Sequence, residues 1–65
     1  MENIIMREYR LQKKYSQAKL AEAVGITQSA IAKFENGQIK PTVPTAKKIA
    51  EVLGFDWTEF FREEI

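Results

Sequence analysis

The 65-residue sequence predicts an all-α fold, five short helices packed as one compact domain over residues 1–65. Three observations carry this expectation. Apolar residues recur at helical spacing, and the alternating pattern that a strand needs is absent. Hydroxyl side chains stand where helices would begin, at Ser16, Thr27 and Thr42. Glycines stand where helices would end, at Gly25, Gly37 and Gly54.

The first helix is expected from about Asn3 to Lys14, with Ile5, Met6 and Tyr9 turned inward. Ser16 caps a second helix that ends at Gly25, with Leu20, Ala21 and Val24 on its apolar face. Thr27 caps a third, whose apolar face is Ile31 and Phe34 and which ends near Asn36 and Gly37. An extended loop is expected from Gly37 to Pro41. Thr42 can cap the fourth helix, and Pro44 is tolerated in its first turn because the missing N–H has no helical partner there. Ala46, Ile49, Ala50, Val52 and Leu53 form its buried stripe up to Gly54. Asp56 and Glu59 have the spacing of a capping box for a fifth helix, which offers Trp57, Phe60 and Phe61 to the core.

Composition narrows the function. A chain this short buries only about 60% of the surface that its unfolded form exposes. It has no cysteine and no histidine, so disulfides are excluded and no zinc site of the usual kind is expected. The commonest general base and the commonest strong nucleophile are missing too. No apolar run exceeds three residues, too short to span a membrane, and the first residues lack a signal pattern. These features predict a soluble cytoplasmic protein and no cofactor. The net charge of +1 divides unevenly. Residues 1–50 hold nine Lys or Arg against four Glu, a balance of +5, and residues 51–65 hold one Arg against five acids, a balance of −4. A basic body suits a face turned to phosphate, and chance alone also produces such a split.

Residues 17–36 read as two short helices about one sharp turn at Gly25, with Ala21 small where the helices must approach. This is the layout of a helix-turn-helix, whose second helix can enter the DNA major groove. Gln28, Ser29, Ala32 and Lys33 lie opposite Ile31 and Phe34, at positions i, i+4 that line one stripe. Gln can pair with adenine N6 and N7, Lys can donate to guanine O6 and N7, and Ala can touch a thymine methyl. A merely solvated face is the bland alternative, yet this stripe holds one charge and is less polar than most solvent faces.

The order of these elements resembles the Cro and lambda-type repressor family, often called Xre-like. The resemblance rests on Met6, Tyr9 and Arg10, then on Tyr15, Ser16, Gln17, Leu20, Ala21, Val24 and Gly25. It continues through Thr27, Gln28, Ser29 and Ile31, through Phe34-Glu35-Asn36-Gly37, and through Pro41, Ile49, Ala50, Leu53 and Gly54. Asp56, Trp57, Glu59, Phe60 and Phe61 are similar to the family's fifth helix. The chain departs from the pattern at Lys14, where many members place Gly.

The resemblance implies a lambda-repressor-like domain with a recognition helix over about residues 28–36. It implies base contacts from Gln28, Ser29, Ala32 and Lys33, and phosphate contacts from Ser16, Gln17, Thr27, Asn36 and Lys40, with Gln38 in the same loop. Gln17 would also brace the start of the third helix. Arg10 and Glu35 would pair across helices, with Arg10 sparing donors for a phosphate. Lys13, Lys14, Lys19, Lys47 and Lys48 read as solubilising charge. Trp57, Phe60, Phe61 and Ile65 read as core, with Phe55 and Trp57 as a candidate dimer contact.

The leading functional expectation is a sequence-specific transcriptional regulator on double-stranded DNA, associated with the nucleoid when bound. It would act as a homodimer on a near-palindromic operator, either as a dimer in free solution or as one that forms only on the DNA. Sixty-five residues leave no space for a sensor domain, so control would come from concentration, a partner or turnover. An antitoxin-like protein-interaction module on the same fold is the alternative. An enzyme is disfavoured, because no nucleophile–base pair, phosphate loop or metal cluster is legible.

Overall fold

The computed structural model of the protein describes residues 4–61. They form four α-helices and one 3-10 helix: α1 (Ile4–Gln12), α2 (Gln17–Val24), α3 (Gln28–Glu35), α4 (Val43–Leu53) and a closing 3-10 turn over Trp57–Phe61. Strands are absent among the described residues. Met6, Leu20, Ala21, Val24, Ile31, Phe34, Ala46, Ile49, Leu53 and Phe60 meet in one core. Every helix contributes to it.

Several boundaries differ from expectation. α1 ends at Gln12, and Lys13 and Lys14 form a turn, while Asn3 lies outside the described residues. Met6 is fully buried; Ile5 and Tyr9 are half-buried. The loop after α3 is extended only from Lys40, because Asn36 to Ile39 form a tight turn and bend. Thr42 occupies the N-cap of α4 without capping through its side chain. Its hydroxyl donates instead to Thr45 Oγ1 at 3.2 Å.

The fifth helix is a 3-10 turn, which corrects the count of five α-helices. Asp56 Oδ1 accepts from the Thr58 N–H at 3.0 Å and from the Thr58 hydroxyl at 2.8 Å. The Glu59 N–H donates to the Asp56 carbonyl at 3.0 Å, so the segment closes with the tighter i→i+3 bond. Both Thr58 groups hold the Asp56 carboxyl below its ordinary value of 3.8, the backbone N–H more than the hydroxyl. Phe60 is buried and Trp57 and Phe61 are half-buried. Ile65 lies outside the described residues.

The end of α1 explains what Lys14 does in place of glycine. The Tyr15 N–H donates to the Arg10 carbonyl at 3.1 Å, and the Lys14 N–H to the Leu11 carbonyl at 3.0 Å. This pair of bonds closes a helix through a left-handed residue, a position that glycine fills at no steric cost. Lys14 fills it with φ 61°, the one non-glycine with positive φ among the described residues. The chain therefore keeps the turn that the glycine pattern implies and holds a side chain in a conformation that L-residues disfavour.

Candidate nucleic-acid interface

α2 and α3 meet at the sharp turn that Gly25 makes with φ 85°. The N–H groups of Gly25 and Ile26 both return to the Ala21 carbonyl, at 2.8 and 3.0 Å. Ala21 is buried, and Leu20 and Ile31 are fully buried. This packing fixes the angle of α3 against α2.

A buried polar hub fixes the far end of α3. Arg10 Nε donates to Glu35 Oε2 at 2.6 Å, and Arg10 Nη2 to Glu35 Oε1 at 3.2 Å. Arg10 Nη1 donates to the Tyr15 carbonyl at 2.8 Å. Gln17 Nε2 donates to Glu35 Oε1 at 3.2 Å. Arg10 and Glu35 are only 8% and 7% exposed, so the paired charges are largely withdrawn from water. Gln17 thus braces the last residue of α3; the start of α3, where the resemblance put that brace, is closed by Thr27. Burial and three bonds also leave Arg10 little reach toward a phosphate. The Tyr15 carbonyl is a member that sequence alone did not suggest, since backbone groups carry no residue signature.

The opposite face of α3 is open. Gln28, Ser29 and Lys33 are exposed and Ala32 is half-buried. None of these side chains hydrogen-bonds to another described residue. Two helix N-termini lie in the same unit. Ser16 Oγ accepts from the Lys19 N–H at 3.0 Å, and Thr27 Oγ1 accepts from the Ala30 N–H at 3.1 Å. A hydroxyl that accepts in this way keeps its own O–H to give to a ligand oxygen. Asn36, Gln38 and Lys40 follow α3, all exposed.

The aromatic end is separate. Tyr9 stacks on Phe55 with centroids 5.0 Å apart, and Phe55 leans on Phe60 at 5.4 Å. Trp57 meets the edge of Phe61 at 6.0 Å, and Lys47 Nζ stands 5.1 Å from the Trp57 ring. Phe55 and Trp57 stay half-buried within this ring chain. Among the described residues no helix is long and apolar enough to cross a membrane, and no group of three acidic side chains could hold a metal ion.

Comparison with known proteins agrees with this geometry. The Helix-turn-helix family pattern matches residues 6–60. Over 58 residues the chain is 43% identical to the uncharacterised HTH-type transcriptional regulator YqaF of Bacillus subtilis, covering 89% of this chain and 76% of that protein. It is 38% identical over 58 residues to the HTH-type transcriptional regulator PuuR of Escherichia coli, covering 89% of this chain but spanning only 31% of PuuR. An uncharacterised HTH-type regulator of Methanothermobacter thermautotrophicus is 36% identical over 55 residues, covering 85% of this chain and 80% of that protein. The chain belongs to the Xre/Cro-like helix-turn-helix family of DNA-binding transcriptional regulators.

Proposed function

We infer that this protein binds double-stranded DNA at a preferred sequence, with α3 lying in the major groove, and regulates transcription by occlusion or recruitment at a promoter. The observation that carries this reading is the open stripe on α3. Its side chains have no partner among the described residues, while the other face of the same helix is locked by Ile31, Phe34 and Glu35. A rigid helix with an uncommitted polar face is what groove readout requires.

Gln28, Ser29, Ala32 and Lys33 are the base-reading residues. Ser16, Gln17 and Thr27 face the phosphates at the two helix N-termini, and the loop with Asn36 and Lys40 follows the backbone. Gln17 has one Nε2 hydrogen engaged with Glu35 and a second to give. Its similarity to HTH-type transcriptional regulators supports the same reading.

One α3 reads about four or five base pairs, too few for a genome-scale search. The protein therefore acts as a homodimer, two copies reading major grooves roughly 34 Å apart on a near-palindromic site. The Phe55 and Trp57 end, which carries the acidic balance, is the contact assigned to the pair.

Selection from a random duplex pool with the protein as bait tests the whole reading. Enrichment of one sequence with two inverted half-sites is the expected result. A pool that stays random would overturn it in favour of a protein-interaction module.

A further inference from the structure

α4 turns Ala46, Ile49, Ala50 and Leu53 into the core, which leaves Lys48, Glu51 and Val52 on its outer side. These three residues line one wall of a groove, and Ala23 and Val24 of α2 line the other. The apolar part of the groove is only partly covered: Val24 is buried, Val52 is half-buried and Ala23 is exposed. Ala23 is small, so the α2 wall is low and another helix can come close to α4.

Opposite charges frame this groove. Lys48 and Glu51 are both exposed, and neither has an ion-pair partner among the described residues. Their i, i+3 spacing permits a bond along the helix, but lysine ahead of glutamate is the less favourable order. A uniformly acidic or basic partner, DNA included, meets a like charge at one of the two positions. A second α4 laid antiparallel meets none. A two-fold axis crossing the helix between positions 49 and 50 sets Lys48 against the partner's Glu51, and Glu51 against the partner's Lys48. Each Lys48 stem then lies over the partner's Val52 while its ammonium stays at the rim. Phe55 and Trp57 are less available for such a contact. Phe55 is engaged by Tyr9 and Phe60, and Trp57 by Phe61 and Lys47.

We propose that the outer face of α4, beside α2, is the surface on which a second copy of this chain docks, antiparallel and held by two reciprocal Lys48–Glu51 pairs. This rests on the homodimer reading above, and it moves the contact from Phe55 and Trp57 to Lys48, Glu51 and Val52. Lys48 is then a contact residue and not merely a solubilising charge. A surface this small makes a weak dimer, strengthened when two half-sites hold the copies together.

Sedimentation equilibrium tests the pairing over a range of protein concentrations, without DNA and on a selected duplex with two half-sites. The samples are the wild type, Lys48→Glu, Glu51→Lys, an equimolar mixture of these two variants, and the double variant. The wild type is expected to pair. Each single variant turns two attractions into two repulsions and should pair at least about tenfold more weakly. The two single variants shift the net charge in opposite directions, so a loss common to both does not come from overall charge or from attraction to phosphate. In the mixture, an acid at position 48 of one chain faces a lysine at position 51 of the other, and the unchanged residues face each other. Pairing should return to the wild-type strength there, and likewise in the double variant. Variants that had merely misfolded would not recover on mixing. Single variants that pair as tightly as the wild type, or a mixture as weak as the singles, would overturn this surface and leave the homodimer reading standing. A wild type that stays single in both conditions would overturn both.

Discussion

Replacing Lys14 by glycine should stabilise the protein. Lys14 closes α1 with φ 61°, and two backbone bonds, from Tyr15 to Arg10 and from Lys14 to Leu11, depend on that conformation. A left-handed backbone costs an L-residue roughly 1–2 kcal/mol, a cost that glycine does not bear. Glycine returns part of this by enlarging the unfolded ensemble, about 0.5–1 kcal/mol. Lys14 is exposed, so little packing is lost. Its positive charge past the C-terminus of α1 contributes about 0.3 kcal/mol. The net gain is about 0.5 kcal/mol, which for so small a domain raises Tm by about 2–4 °C. Thermal unfolding of Lys14→Gly, with Lys14→Ala as the control, makes the measurement. Alanine removes the same charge and keeps the strain, so its Tm should equal the wild type or fall slightly below it. If Lys14→Gly melts no higher than Lys14→Ala, Lys14 carries no backbone strain and the reasoning fails.

Other outcomes follow from the site. Arg10→Ala and Glu35→Ala should each cost about 3–5 kcal/mol, because one buried charge is stranded when its partner goes; melting temperatures close to wild type would mean that the pair contributes as little as an exposed one, under about 1 kcal/mol. Gln28→Ala and Lys33→Ala should each lose about 1–3 kcal/mol against the selected duplex and little against a scrambled one, in contrast with Lys40→Ala, which should weaken both and flatten the salt dependence. Equal losses on both duplexes in the first two variants would remove them from base reading. Sedimentation with a two-half-site duplex should show two protomers per duplex at saturation, and one protomer would end the homodimer reading. An NMR titration should find the Asp56 carboxyl below its ordinary value, as its bonds to Thr58 require. Its stabilising effect is then present above the unfolded-state pKa and is lost as pH falls through the lowered folded-state value. A midpoint at or above the ordinary value would show that the Thr58 bonds are not made in solution.

The parts legible in the sequence are those with local signatures. Ser16 and Thr27 announced two helix starts, and Gly25 announced the turn between them, because caps and left-handed turns select few residue types. The pairing of Arg10 with Glu35 came from a resemblance, since residues 25 positions apart leave no local trace of contact. Other details were set by competition that a linear reading does not resolve. Thr42 found Thr45 instead of a backbone N–H. Asp56 satisfied Thr58, and the final segment tightened into a 3-10 turn. Gln17 bonded the end of α3 instead of its start, because Glu35 already stood there with Arg10.

The division of α3 into two faces has a consequence for how such a protein can change. Ile31, Phe34 and Glu35 are buried against the rest of the domain, and Gln28, Ser29 and Lys33 are exposed. Exchanging the outer residues should leave the melting temperature almost untouched, so, on the function proposed above, new target preferences could be sampled one substitution at a time by a domain that stays folded. The inner set has no such freedom. Arg10 and Glu35 can leave only together, because every single step passes through a stranded charge. The same eight-residue helix is therefore free to drift on one side and frozen on the other. A library built on residues 28, 29 and 33 would test whether this exposed face sets what the protein recognises.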